Sequence, residues 1–300
     1  MDIVEVGPRD GLQNEKRVLP TGTKVEYVRR AIAAGLTRLE VVAFARPDRV
    51  PQMADAEDVL RDLPRADGIR YIALVLNGRG LDRILALGEH DRPHEINYVV
   101  VATDEFSRRN QGMTTMASLD AFRTVARRAR EAGLAVTLTV AASFGCPFTG
   151  EVKPDRVREI VANAGELDEL CIADTIGVGV PVQVTELAAA VREVTAAPLR
   201  AHFHNTRNTG YANAITAAGL GFTALDASLG GIGGCPFAPA ATGNIATEDL
   251  AYLLNRSGLA TGVAIGPAAA TGAWIGAELG LATVPAQLGR AGDFPGDLSE

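Results

Sequence analysis

The chain has 300 residues, 47% of them hydrophobic, and a formal net charge of −7; this supplies a large core and argues against a nucleic-acid footprint. No apolar run reaches the roughly 18 residues of a membrane span, and the first residues lack the basic and apolar regions of a secretory signal. Cys146, Cys171 and Cys235 are the three cysteines, an odd, low count that suggests free thiols and a cytoplasmic location.

Short apolar runs alternate with amphipathic segments along the chain. Strands are expected at residues 2–6, 38–43, 70–76, 95–102, 135–141, 169–174, 199–204 and 224–228. Helices are expected between and after them, at residues 21–34, 54–63, 118–132, 154–164, 181–194, 208–218 and 247–254. Ala34-Gly35, Ala132-Gly133 and Ala218-Gly219-Leu220-Gly221 each place a C-cap glycine ahead of a strand. Eight β/α alternations predict an α/β fold, a closed (β/α)8 TIM barrel, with an open doubly wound sheet as the alternative. Residues 1–300 read as one domain. Within it, 259–300 form a C-terminal extension: a further helix near 268–280, then a Gly- and Asp-rich end suited to disorder. In such a barrel, functional side chains sit at the C-terminal ends of strands. The polar residues below fall there, except Glu40.

The first expected strand runs into Gly7-Pro8-Arg9-Asp10-Gly11. An aspartate at a barrel mouth can ligate a hard divalent cation, and an arginine there can stabilise an oxyanion; an ion-paired surface turn explains the pair equally well. Glu40 lies inside an apolar strand, where an unpaired carboxylate is costly. Arg9 is its expected partner, as a core ion pair or as the means of holding a catalytic guanidinium. Asp174 ends its strand ahead of Thr175-Ile176-Gly177-Val178-Gly179 and reads as a site carboxylate or as a turn aspartate.

His202-Phe203-His204 holds two of the four histidines. Residues i and i+2 of a strand share a face, so both imidazoles project together as ligands for one metal ion; a solvated strand end is the alternative. The glycine-rich stretch 230–236 reads as a lid or cradle. Cys235 within it is a proton-transfer thiol or a packed, inert one. Asn244 offers an amide oxygen or serves as a turn residue before the next helix. Two imidazoles, a carboxylate and an amide oxygen suit Mg2+ or Mn2+, and the absence of a thiolate from the set argues against structural zinc.

These residues belong to longer motifs: Val4-Glu5-Val6-Gly7-Pro8-Arg9-Asp10-Gly11-Leu12-Gln13-Asn14-Glu15, Val50-Pro51-Gln52-Met53, Phe144-Gly145-Cys146-Pro147, Asp174-Thr175-Ile176-Gly177-Val178-Gly179, His202-Phe203-His204-Asn205-Thr206, Gly233-Gly234-Cys235-Pro236 and Gly243-Asn244-Ile245-Ala246-Thr247-Glu248-Asp249-Leu250. Through them the chain resembles the 3-hydroxy-3-methylglutaryl-CoA lyase family of TIM-barrel metallolyases, from residue 3 to about residue 258. The resemblance implies metal ligands at Asp10, His202, His204 and Asn244. It implies a catalytic set of Arg9, Glu40, Asp174, His202 and Cys235, with Arg9 and Gln13 at the substrate. It also implies a homodimer that cleaves 3-hydroxy-3-methylglutaryl-CoA to acetyl-CoA and acetoacetate by a metal-dependent retro-Claisen reaction, CoA entering as part of the substrate.

The chain departs from the family at several positions. Thr139-Val140-Ala141-Ala142 replaces a common Tyr-Val-Ser-Cys, Ala43 and Cys171 replace serines, and Arg207 replaces a tyrosine. Lost hydrogen-bonding groups change selectivity, so citramalyl-CoA or a longer 3-hydroxyglutaryl-type thioester is the alternative substrate. A Claisen condensing enzyme would use the same barrel, but such relatives carry long C-terminal regulatory domains. A non-catalytic binding protein would have no need of Arg9, Asp10, both histidines and Cys235 together. No nucleic-acid or membrane partner is expected.

Overall fold

The computed structural model describes residues 1–234 and 243–294; Cys235, the rest of 236–242, and 295–300 lie outside the described residues. Among the described residues there are ten strands: β1 (Asp2–Glu5), β2 (Arg38–Phe44), β3 (Arg70–Val75), β4 (Glu95–Val101), β5 (Ala135–Ala141), β6 (Gly145–Cys146), β7 (Gly150–Glu151), β8 (Glu169–Asp174), β9 (Leu199–Phe203) and β10 (Ala224–Ala227). Eight of them close a parallel barrel in the order β1-β2-β3-β4-β5-β8-β9-β10, and β6 and β7 form a separate antiparallel hairpin. The barrel, not the open sheet, is the architecture.

The helices are α1 (Thr21–Ala33), α2 (Ala56–Asp62), α3 (Gly78–Leu85), α4 (Asp104–Gln111), α5 (Thr115–Glu131), α6 (Pro154–Ala162), α7 (Pro181–Arg192), α8 (Gly210–Gly219), α9 (Thr247–Arg256), α10 (Ile265–Leu279) and α11 (Leu288–Ala291). The helices α3, α4 and α11 and the hairpin add to the elements expected from the sequence.

The strands read as apolar runs, yet alternate positions divide two environments, because successive side chains of a strand point to opposite faces. Ile96, Tyr98, Val136, Leu138, Leu170 and Ile172 join the hydrophobic core shared with helix residues such as Phe122, Ile160 and Leu187. Each fully buried Leu or Ile there contributes roughly 1.5–3 kcal/mol. The intervening positions carry Arg38 and Glu40, Glu95 and Asn97, Thr137 and Thr139, Glu169 and Cys171, and Arg200 and His202, all but Arg38 buried.

Two local features aim the site residues. The register of β2 on β3 shifts between Glu40 and Val42, a bulge of the kind that re-aims a side chain near an active site. On the other side of β1 from β2, Asp226 of β10 lies in register with both Val4 of β1 and His202 of β9.

The extension packs back on the barrel. In α10, Ala268 and Ile275 are fully buried. Trp274 packs tilted on Tyr27 with ring centroids 6.3 Å apart, and Arg30 lies 4.4 Å over the Trp274 ring.

Candidate active site

The chain leaves β1 through a tight helical turn, Gly7–Gly11, in which the Val6 carbonyl accepts from the amides of Arg9, Asp10 and Gly11. Gly7 is required here, since a Cβ at this position would run into the Tyr27 hydroxyl and the Glu5 carboxylate. The turn delivers Arg9 and Asp10 to the end of the barrel. Arg9 donates to Glu40 through Nε and to Asp10 Oδ1 through Nη1, the latter at 2.6 Å. Glu40 in turn accepts from Asn97 Nδ2 at 2.8 Å, and Thr139 donates to Asn97 Oδ1 at 2.7 Å. Glu40 therefore meets Arg9 inside the barrel, with Asn97 and Thr139 completing the chain of bonds.

Asp10, His202 and His204 each offer one ligand atom, all within 4.8 Å of one another. The His202 Nδ1 lies 3.1 Å from Asp226 Oδ2, leaving Nε2 facing Asp10 Oδ2 at 4.0 Å. Two coordination bonds of about 2.1 Å span that separation. The His204 Nδ1 is buried and makes no aligned hydrogen bond.

The electrostatics favour a cation in the same place. Burial works to raise the Asp10 carboxyl, but Arg9, both imidazoles and Asn244 outweigh it and hold the group well below its ordinary value. Burial, with His202 beside it, pushes His204 down to about 4, which keeps it a neutral imidazole ready to ligate. For His202, burial opposes the charged form, but the bond to Asp226 and the field of Asp10 raise it. The connected lattice of ion pairs contains six carboxylates (Asp2, Asp10, Glu40, Glu95, Glu169, Asp226) and four guanidiniums (Arg9, Arg38, Arg70, Arg200). The donor set and the buried imidazole nitrogen without an aligned partner fit a divalent cation.

Asn244 reaches the cluster from the other side. His204 and Asn244 form an isolated antiparallel bridge, and the Asn244 amide nitrogen donates to Asp10 Oδ2 at 2.9 Å and to the Ile232 carbonyl at 3.1 Å. In this arrangement nitrogen, not the expected oxygen, faces Asp10, so ligation through oxygen requires the amide to turn over. Gly233 has φ +100°, and a Cβ there would strike Asn244 Nδ2 and the Gly11 Cα. The stretch leading to Cys235 is thus packed against the turn that carries Asp10.

Asp174 is buried, and its two oxygens accept from the amides of Val178 at 3.0 Å and Gly179 at 2.8 Å. Burial raises its carboxyl in spite of those bonds. Its contacts hold the loop after β8. Arg207 clasps the same loop from the β9 side, donating to the carbonyls of Ile176 and Gly177 at 2.9 Å. Gln13 is half-buried just past the Gly7–Gly11 turn.

Sequence reasoning passed over Asp226, Arg200 and Asn97. Arg200 is fully buried and lies 3.0 Å from Asp226, 3.4 Å from Glu169, 3.6 Å from Glu40 and 3.8 Å from Glu95. The signal that exposed Glu40, a charge inside an apolar strand, is equally present in Leu199-Arg200-Ala201 and Leu225-Asp226-Ala227.

Residues 1–274 match the model of the HMGL-like family. The chain is 43% identical to the (R)-citramalyl-CoA lyase of Chloroflexus aurantiacus, over 97% of this chain and 94% of the relative. It is 40% identical to the hydroxymethylglutaryl-CoA lyase of Pseudomonas mevalonii, over 93% of each. Among solved structures, an HMG-CoA lyase from Acinetobacter baumannii in complex with coenzyme A and 3-methylmalate superposes with a TM-score of 0.91 at 33% identity, covering 100% of this chain and 97% of that one. The chain belongs to the HMGL-like family and is a carbon–carbon lyase.

Proposed function

We propose that the chain cleaves 3-hydroxy-3-methylglutaryl-CoA to acetyl-CoA and acetoacetate by a divalent-metal-dependent retro-Claisen reaction. The observation that carries this reading is the convergence of Asp10, His202 and His204 within 4.8 Å, beside a buried Arg9. Asp10, His202, His204 and Asn244 would hold Mg2+ or Mn2+, which when bound polarises the tertiary hydroxyl and a carbonyl oxygen of the substrate and lowers the hydroxyl pKa.

The remaining steps belong to the chain. Once the hydroxyl proton is lost to a base at the barrel mouth, the alkoxide collapses to the ketone of acetoacetate. The C2–C3 bond breaks, and its electron pair becomes the enolate of acetyl-CoA. Arg9 donates to the enolate oxygen as charge builds there, an effect worth about 3 kcal/mol for one placed donor. Glu40 holds Arg9 in that position, and Asp226 holds His202. Cys235 protonates the enolate carbon and is left as a thiolate. Gln13 contacts the substrate, and Asp174 keeps the loop after β8 in place. We assign the chain to the cytoplasm, as a homodimer of single-domain protomers in which 259–300 is the C-terminal extension.

One observation favours a second substrate, (R)-citramalyl-CoA. The relative of that name is 43% identical, and Ala43, Ala142 and Cys171, three of the departures from the lyase motifs, are buried in or beside the barrel. The two thioesters share a tertiary alcohol and a carboxylate and differ by one methylene, a difference that a pocket discriminates by about 10–200-fold. Offering both to the manganese-loaded protein decides the matter. Acetoacetate as the faster product supports the first reading and pyruvate the second; release of neither from folded, metal-loaded protein rejects both.

A further inference from the structure

The guanidinium of Arg200 lies at the centre of the polar barrel interior, with no exposure to solvent. It touches neither the metal-ligand cluster nor Arg9. It contacts the carboxylates that hold them. Asp226 uses Oδ2 for His202 Nδ1 at 3.1 Å and Oδ1 for Arg200 Nε at 3.0 Å. Glu40 divides its oxygens in the same way, with Oε1 taken by Arg9 and Oε2 lying 3.6 Å from Arg200 Nη2. On the other side of the guanidinium stand Glu169 and Glu95, which Arg38 and Thr137 already satisfy. The Arg200 nitrogens make no aligned hydrogen bond, and neither does Asp226 Oδ1, so the attraction is that of an ion held among anions.

We propose that Arg200 is a positioning residue of this active site: it anchors Asp226, and through Asp226 it fixes the ring of His202 with Nδ1 occupied and Nε2 turned to Asp10. Arg200 and His202 are two apart on β9 and share a face, and Asp226 is the register partner of His202 on β10. The aspartate therefore sits between the two side chains that it bridges. Carboxylate partners that occupy the second ring nitrogen set the tautomer and orientation of a ligating histidine, and their loss costs about 10–100-fold in metal affinity. Without Arg200, Asp226 would stay buried among Glu40, Glu95 and Glu169 with no cation of its own. It would then relieve that repulsion by turning away from His202.

The inference rests on His202 as a metal ligand, but its test reads the ring itself. With four histidines in the chain, 15N-histidine labelling resolves the His202 ring signals, assigned by their loss in His202→Gln. Wild-type protein and Arg200→Lys, which restores a cation, are expected to show one Nδ1–H proton of His202 protected from exchange. Arg200→Met and Asp226→Asn are expected to lose that protection, and their Mn2+ dissociation constants, read by electron paramagnetic resonance titration, to rise about 10–100-fold. The double variant Arg200→Met/Asp226→Asn should be no worse than Asp226→Asn alone, because the two residues act in series.

If Arg200→Met does not fold, adding Glu169→Gln removes one buried negative charge without returning a cation to Asp226, and the same readouts apply. A folded variant lacking the Arg200 cation that keeps the protected Nδ1–H signal overturns the proposal. So do losses that add in the double variant. Failure of the wild type to bind Mn2+ would count against the metal-site reading alone, and the ring signals would still decide the role of Arg200.

Discussion

At the scale of the residue, Arg9 is assigned most of the chain's own chemistry in the proposed mechanism. It is held by Glu40 on one side and Asp10 on the other, so its position is set before any substrate arrives. Arg9→Gln is expected to lower kcat by about 10²–10³ while KM changes little, because the lost donor acts on charge that exists only in the transition state. Steady-state kinetics on the preferred thioester check this. Asp10→Asn is expected to weaken Mn2+ binding by at least tenfold, since it removes the one carboxylate among the proposed ligands; equilibrium dialysis reads it.

Several of these residues are legible in the sequence because of where they stand. The spacing of His202 and His204 puts both on one strand face, and Glu40 stands out as a charge among apolar neighbours. Arg200 and Asp226 carry the same mark as Glu40, but their meaning depends on the closure of the barrel. Asp226 meets His202 across 24 residues, and Arg200 meets Glu40 across a gap far longer still. No local pattern encodes those pairings. Cys235, prominent in the sequence, lies outside the described residues.

At the scale of the element, strands with continuous apolar runs and turn residues at both ends were readable: β5 and β8 fall at residues 135–141 and 169–174 as expected. The helices α3 and α4 were not readable, for different reasons. Two glycines open α3, and a cap compensates for them, with the Asn77 side chain accepting from the Gly80 amide at 3.1 Å. The α4 segment is mostly polar and shows little periodicity. It is supported by Asp104–Arg108 and Glu105–Arg109 pairs at i, i+4 and by Gly112 with φ +75° at its end.

A pH effect belongs at this scale too. Glu5 accepts from the amides of Gly7 and Leu229, and Glu248 accepts from the amide of Gly230, so two buried acids tie together the turn after β1, the loop after β10 and helix α9. Burial pushes Glu5 up to about 7 and Glu248 up to about 8, against an ordinary 4.5. The folded protein then keeps protons that the unfolded chain has released. The stability this provides is fully present below about pH 4.5 and is lost as the pH rises toward about 8. The melting temperature of Glu248→Gln, which has nothing to titrate, should fall less steeply than that of the wild type between about pH 5 and pH 8. Parallel slopes for the two proteins would show that Glu248 ionises normally.

At the scale of the whole molecule, the barrel closes around ions where many barrels close around apolar side chains, and the helices α9 and α10 complete the wall beside the site. A Cβ on Gly272 of α10 would collide with the Gly230 backbone and the Glu248 carboxylate, so the extension is seated directly on the root of the glycine-rich loop. Truncation after Gly258 removes the buried Ala268 and Ile275 and the Trp274 packed on Tyr27. It is expected to lower the melting temperature by about 10 °C or more, as circular dichroism would report.

The site itself has its most direct test in metal dependence. Protein stripped with EDTA and assayed for acetyl-CoA release from 3-hydroxy-3-methylglutaryl-CoA and from citramalyl-CoA should be inactive. It should recover on addition of one equivalent of Mn2+ per chain, and His202→Ala should not recover. Undiminished cleavage by metal-free protein, or full recovery by His202→Ala, would contradict the assignment of Asp10, His202 and His204 as the catalytic metal centre.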